Sequence, residues 1–458
     1  MATILFDIAQ ATGHLNPSFR LAKLLQAEGH KIVYASSEEY EKAIRSQGFE
    51  VLDIYRTPEV RLTKEQQNFL PIAKRVVHYF VKKLLSGYLE KLAIGHMEQK
   101  SMGDRIKQVI ELQPDLIIAD SMNPLYRAVV YCSYSVEVVM LQTMMSPTQA
   151  PGVPPLHSRL VPHPSRANNT QIQLSWLRHY GQKYLRKKWR KGIYFSSDIH
   201  TLSDRIMKKC GLPESQLDRR RTINDGLKGL QEISLAPRAL DFPRGYQDYE
   251  VPAGYAVDVD RVESSASEEV ERLLKDDKRP LVYCSLGTIS TVHNARSAQW
   301  LKKVIRAVRH QPWDVLIATG SKTKVEDLGN IPVNVRVYET LPQLAVLKRA
   351  DVMVTHGGLN SVVECILHEV PMVVCPLNNK WDQNGNAARV VYHGLGVRSQ
   401  LGNESVSALT NKIDQVLKTE AFRENVRRMK GKVIKEDQHH TVVAMIETML
   451  TKHRKVAA

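Results

Sequence analysis

Asp351–Leu377 reads DVMVTHGGLNSVVECILHEVPMVVCPL, and this stretch decides the fold. DVMVT is a strand-length apolar run, His356-Gly357-Gly358 turns the chain, and Leu359 to His368 carries apolar residues at helical spacing. PMVVCPL is a second apolar strand. Strand, helix and strand in so short a span make a βαβ unit, with parallel strands and a right-handed crossover. The rhythm continues outward in both directions. Upstream lie PLVYCSLGT, WDVLIATG and VNVRVYE, and downstream a helix starts at about Asp382. Near the start of the chain the alternation is equally clear: TILFDIA, a loop at Gln10 to Gly13, a helix over Leu15 to Glu28, KIVYAS, a helix over Glu38 to Gln47, and FEVLDIY. PDLIIAD (114–120) and VEVVMLQ (136–142) extend that first sheet, with long helical stretches at about 62–110 and 172–210 between and after them.

A chain of 458 residues is too long for one ordinary core, so the two runs of alternation predict two doubly wound, Rossmann-like α/β domains facing across a cleft. The N-terminal domain is expected to span 1–250. Residues 251–280 are turn-rich and charged and read as the linker; 281–435 form the C-terminal domain; 436–458 read as a helix able to pack back on the first domain.

Sixty-four Lys and Arg against 48 Asp and Glu give a formal charge of +16, which favours anionic ligands or surfaces. Much of the excess lies at Lys74 to Lys91 and at Arg178 to Gly192, both helical in pattern and readable as solvated faces or as a membrane-surface patch. No stacking-aromatic groove or recognition motif accompanies them, so nucleic acid is not an expected partner. The five cysteines are scattered without a C-x-x-C pair, which predicts buried, reduced thiols. The start MATILF lacks a basic n-region and no apolar run reaches the length of a membrane span, so a cytoplasmic protein is expected.

Open parallel sheets bind ligands beyond the carboxyl ends of their strands, and polar residues gather there. After the first strand, QATGHLNP places His14 at a helix start, where an imidazole can serve as a general base or simply as a structural histidine. Asp120 ends another strand; beside His14 it would orient the ring, and otherwise it would be a helix N-cap. In the second half, His356, Gly357 and Gly358 open a helix carrying Asn360, Ser361 and Glu364: bare amides suited to a diphosphate, then a carboxylate suited to ribose hydroxyls. Asp382 and Gln383 offer an acceptor and an amide for sugar hydroxyls, and Ser285, Gly287 and Thr288 in CSLGT can line the same diphosphate. The D-x-D at Asp258 to Asp260 lies in the linker and reads as surface charge; no metal site is expected.

Taken together, GHLNP, Asp120, SLGT, the LPQLAVLKRADVMVTHGGLNSVVECILHEVPMVVCPL segment and DQNGNAARV resemble family 1 of the glycosyltransferases, the UDP-glycosyltransferase superfamily of GT-B fold, over nearly the whole chain. The resemblance implies an inverting, metal-independent transfer of a hexose, from UDP-glucose in the first instance, to a hydroxyl of a phenolic, macrolide or other natural product. No cofactor is implied beyond the nucleotide diphosphate sugar. By the same resemblance His14 is the base and Asp120 its partner. His356, Gly358, Asn360 and Ser361 bind diphosphate, Glu364 ribose, Asp382 and Gln383 the sugar, and Gln343 lies near the nucleoside. The chain departs from the family in two places. Thr340 stands where many members carry a base-stacking tryptophan, with Tyr338 nearby, which leaves thymidine open as the donor base. The loop CPLNNKWDQ is about two residues longer than usual, which leaves the sugar open. Two other functions fit the same pattern: a membrane-surface transferase with a lipid or sterol acceptor, and an epimerase or non-catalytic binding protein on this scaffold.

Overall fold

A computed structural model describes residues 1–54, 103–193, 199–263, 266–276, 278–287, 294–320, 323–378, 381–400 and 404–457. The basic run Lys74 to Lys91, most of the helical stretch expected at 62–110, and Thr288 lie outside them.

The first sheet is built from β1 (Thr3–Asp7), β2 (Lys31–Ser36), β3 (Glu50–Asp53), β4 (Leu116–Asp120) and β5 (Glu137–Gln142). After a small ribbon, β6 (Leu217–Asp218) and β7 (Gly226–Leu227), it gains β8 (Glu232–Ser234) and β9 (Glu250–Pro252). The order is β3-β2-β1-β4-β5-β8-β9, and every pairing is parallel. The second sheet holds β10 (Leu281–Ser285), β11 (Asp314–Ala318), β12 (Val335–Tyr338), β13 (Val352–Thr355), β14 (Met372–Val374) and β15 (Gly396–Arg398), in the order β12-β11-β10-β13-β14-β15. Each sheet therefore reverses direction once, between β1 and β4 and between β10 and β13. At such a switch point the loops diverge and leave a crevice. The strands are apolar on both faces because helices cover both; Ile4, Leu5 and Phe6 are all fully buried.

The crossovers of the first sheet are α1 (Thr12–Ala27), α2 (Glu38–Arg45), α3 (103–111) and α4 (Tyr126–Ser133); α5 (Arg166–Ile193) and α6 (Ile199–Lys209) follow. The helical stretch expected at about 172–210 is made of these two helices, the first starting earlier. The second sheet is covered by α7 (Glu268–Lys275), α8 (Asn294–Val308), α9 (Gln343–Leu347), α10 (Leu359–Leu367), α11 (Gln383–Tyr392), α12 (Val406–Lys418) and α13 (Glu420–Lys435). Finally α14 (His439–Ala457) returns to pack on α1, burying Val442, Val443, Ile446 and Leu450 among the core residues of the first sheet. The Arg20–Asp437 ion pair and the His30–Glu447 hydrogen bond fasten it there.

Several local expectations change. The first sheet continues to Pro252, and α7 inside the stretch read as linker buries Val270 against the second sheet's core. Asp258 is not surface charge: it is buried and its Oδ2 accepts from Lys23 Nζ at 2.6 Å, tying this segment to α1. Cys284, Cys365 and Cys375 are buried, but Cys132 and Cys210 are exposed; all five are free thiols.

The proline-rich segment 146–165 reaches across to α11. Ala150 and Val153 pack with Phe242 and Ala388, Arg159 Nε donates to Asn384 Oδ1, and Arg398 Nη1 donates to the Arg159 carbonyl. Leu156 comes so close that a Cβ on Gly385 would sit 2.0 Å from its carbonyl oxygen. Only glycine admits that approach. Gly385→Ala is expected to destabilise the fold by about 1–3 kcal/mol through overpacking, seen as a lower urea midpoint at unchanged slope.

Candidate active site

The switch point of the first sheet holds the acid–base pair. β1 and β4 are hydrogen-bonded neighbours, with Asp7 in register with Ala119, so the residues that follow them meet. Asp120 is wholly buried at the end of β4, and α1 opens from Ala11 with Gly13 and His14 in its first turn. His14 Nδ1 lies 2.9 Å from Asp120 Oδ2. The carboxylate only accepts, so Nδ1 carries the hydrogen and Nε2 presents its lone pair. Asp120 does not cap α4, whose N-cap is Leu125; its Oδ1 instead accepts from the Met122 amide and closes the turn after β4. Thr143, just beyond β5, was not foreseen: its Oγ1 lies 2.7 Å from His14 Nδ1. A lone threonine after an apolar strand carries no signal in sequence.

Beneath this pair lies a second buried group. Asp7 is fully buried and accepts from Tyr131 Oη at 2.9 Å, from Arg127 Nη1 at 3.1 Å and from Asn123 Nδ2 at 3.1 Å. Asn224 Nδ2 donates to the carbonyls of Ser121 and Met122. These bonds hold β1, the Asp120 turn and α4 as one block.

Burial by itself lowers the pKa of His14, but the charge and hydrogen bond of Asp120, with a smaller push from Asp382, outweigh it and leave the value above the usual 6.5. Asp382 is the residue just ahead of α11 in the second domain, so its influence on His14 acts across the cleft. Burial raises its own pKa, against the Asn386 hydrogen bond and the charge of His14.

At the other switch point the loop after β10 and the turn after β13 meet. His356 stacks between two glycines: a Cβ on Gly287 would lie 2.5 Å from its Cε1, and one on Gly358 2.6 Å from its Nε2. Burial drives the His356 pKa down to about 4, with the Ser285 backbone acting in the opposite sense, so the ring is neutral. Gly357 has φ +85°, and a Cβ there would meet Val374 at 2.6 Å. Gly358 caps α10, whose first amides have no intrahelical acceptor and face the cleft with Ser285 and Ser361 nearby.

The remaining expected residues are engaged with one another. Glu364 accepts from Gln343 Nε2 and pairs with Arg261, while Gln343 Oε1 accepts from Tyr283 Oη at 3.1 Å. Arg261 also reaches Glu263, whose carboxylate accepts the Leu344 amide at the start of α9. Arg261 and Glu263 were missed because they lie in a segment read as linker. Gln383 Oε1 accepts the amides of Leu377 and Asn378, so it shapes that loop and keeps only its amino group for a ligand. Tyr338 gives its hydroxyl to Glu269 of α7. Among the described residues no three His, Cys, Asp or Glu side chains gather as a metal site.

Residues 233–442 match the family described as "UDP-glucoronosyl and UDP-glucosyl transferase". The chain is 26% identical over 455 residues to the NDP-glycosyltransferase YjiC of Bacillus subtilis (strain 168), covering 96% of each protein. The fold is GT-B, and over residues 233–442 the chain is similar to that glycosyltransferase family. This transferase is also 29% identical over 203 residues to the zeaxanthin glucosyltransferase of Pantoea ananas, covering 42% of this chain and 44% of that one. Among solved structures, the glycosyltransferase VinC in complex with dTDP superposes with a TM-score of 0.63 at 16% identity, over 98% of this chain and 100% of VinC. Glycosyltransferases of this family bind a nucleotide-sugar donor and an acceptor.

The raised pKa of His14 predicts that any step needing its neutral ring slows as pH drops through a value above 6.5. Asp120→Asn removes the charge that holds this pKa up. The acid limb of the kcat/KM profile is expected to move to lower pH while kcat drops about 10²-fold or more.

Proposed function

We propose that this enzyme transfers a hexose from a nucleotide diphosphate sugar, UDP-glucose or its thymidine counterpart, to a hydroxyl of a small natural-product acceptor, with inversion and without a metal ion. The observation that carries the reading is the His14–Asp120 pair facing Asp382 and the open N-terminus of α10 across one cleft. The acceptor oxygen loses its proton to His14 Nε2 and forms the bond to the anomeric carbon, while the bond from that carbon to the diphosphate oxygen breaks on the opposite face. Asp120 balances the imidazolium. The leaving charge is met by the α10 amides, by Asn360 and Ser361, and by neutral His356 acting as a hydrogen-bond donor. Glu364 takes the ribose hydroxyls, Gln343 lies against the nucleoside, and Asp382 with the Gln383 amino group holds the sugar. The relatives named for zeaxanthin and for NDP-sugars support the acceptor class and the donor class.

The test is product formation from UDP-glucose and TDP-glucose with phenolic, macrolide, carotenoid and sterol acceptors, in EDTA. The expected result is an acceptor heavier by one hexose, with kcat about 10²–10⁴-fold lower in His14→Ala. Free sugar released without acceptor, or full activity in His14→Ala, would count against it.

A second reading concerns where the acceptor is met. On α5, Leu174, Leu177, Tyr184, Leu185 and Trp189 are more than half exposed, and the helix carries Arg178, Arg186, Lys187 and Lys188 but no acidic residue. Aromatic and aliphatic side chains set among cations suit an anionic lipid surface. None of the described helices is long and apolar enough to cross a membrane, so contact would be peripheral. Sedimentation with phosphatidylserine vesicles, lost at high salt and in Trp189→Glu, is the expected outcome; binding equal to that on neutral vesicles would rule it out.

A further inference from the structure

The helix that delivers His14 contains a proline, Pro17, in its second turn. Proline has no amide hydrogen, so the carbonyl four residues earlier, that of Gly13, receives no hydrogen bond from it. Gly13 immediately precedes His14. An orphaned carbonyl in a part-buried helix is costly unless another donor reaches it. Here the donor comes from the other domain: Asn360 Nδ2, in the first turn of α10, lies 3.0 Å from the Gly13 oxygen.

From this contact we infer that Pro17, Gly13 and Asn360 form a latch that seats the catalytic-base helix against the donor domain, with Asn360 as a positioning residue for His14. The proline empties the acceptor, and the asparagine fills it only when the cleft is closed. An amide NH2 carries two hydrogens, of which Gly13 takes one. The second remains for a phosphate oxygen at the α10 amides. A single side chain then touches both the leaving group and the backbone next to the base, so His14 is brought into register when a donor is present. This part rests on the proposal that the α10 N-terminus takes the diphosphate; the latch itself rests on the Gly13 contact alone.

Pro17→Ala separates the two. It returns an amide to α1 that bonds Gly13 internally and competes with Asn360 for that oxygen, weakening the latch while touching no donor-binding residue. Expected for the full-length enzyme are a Tm equal to or above wild type, affinity for UDP and TDP within about twofold of wild type, and kcat at saturating donor lower by about tenfold or more, as misplacement of a reacting group implies. In Asn360→Ala kcat falls as well, and adding Pro17→Ala to it lowers kcat no further, because the latch is already open. Wild-type kcat in Pro17→Ala, or losses that multiply in the double variant, would overturn the latch. Should Pro17→Ala lower Tm, Pro17→Val returns the same amide with a side chain of nearly the same volume, touches no donor-binding residue and supplies the same reading. If Asn360→Ala binds UDP and TDP as well as wild type, the bridge to phosphate is wrong, whatever the kcat of Pro17→Ala says of the latch.

Discussion

The buried carboxylate of Asp120 is the constraint on which the working half of the molecule depends. A carboxylate with no exposure to water has to be surrounded by donors, and here these are His14, the Met122 amide and, at 3.3 Å, the Ala9 amide. Satisfying it fixes the turn after β4, the loop after β1 and the tautomer of the imidazole together. Asp7, one layer deeper, does the same for β1 and α4 through Arg127, Tyr131 and Asn123. The geometry of the site is therefore a by-product of satisfying two buried acids.

Much of this was legible in the sequence for simple reasons. Strands buried on both faces leave uninterrupted apolar runs such as LIIAD and DVMVT, and helices between them leave the periodicity that names a parallel sheet. Motifs at the carboxyl ends of strands could be placed on the crevice without knowing any contact, and His14, Asp120 and the His356-Gly357-Gly358 turn all fall there. The short strands β8 and β9 escaped notice because three residues carry no period. Arg261, Glu263 and Lys23 escaped because ion pairing across distant sequence has no local signature; a charged linker and a buried clamp look alike until the chain is folded.

Several residues expected at the ligand are also tied into the framework. Gln343 and Gln383 present amides of the type that grip a nucleoside or a sugar, yet each has its carbonyl engaged, by Tyr283 and by the 377–378 backbone respectively. The Gln383 amino group is thereby pre-aimed, which lowers the entropy lost when a ligand arrives, whereas that of Gln343 is itself held by Glu364. His356 is similarly fixed: it is wedged between Gly287 and Gly358 and held neutral by burial.

The chain passes between its two halves twice, and both passages lie side by side. Gly254, with φ +95°, lies so close to Glu436 that a Cβ would stand 2.8 Å from that residue's carbonyl oxygen, and the Gln438 amide donates to the Ala253 carbonyl at 3.0 Å. The two crossings are thus stitched into one strip of backbone, so a strain or substitution in either passage is felt at once by the other.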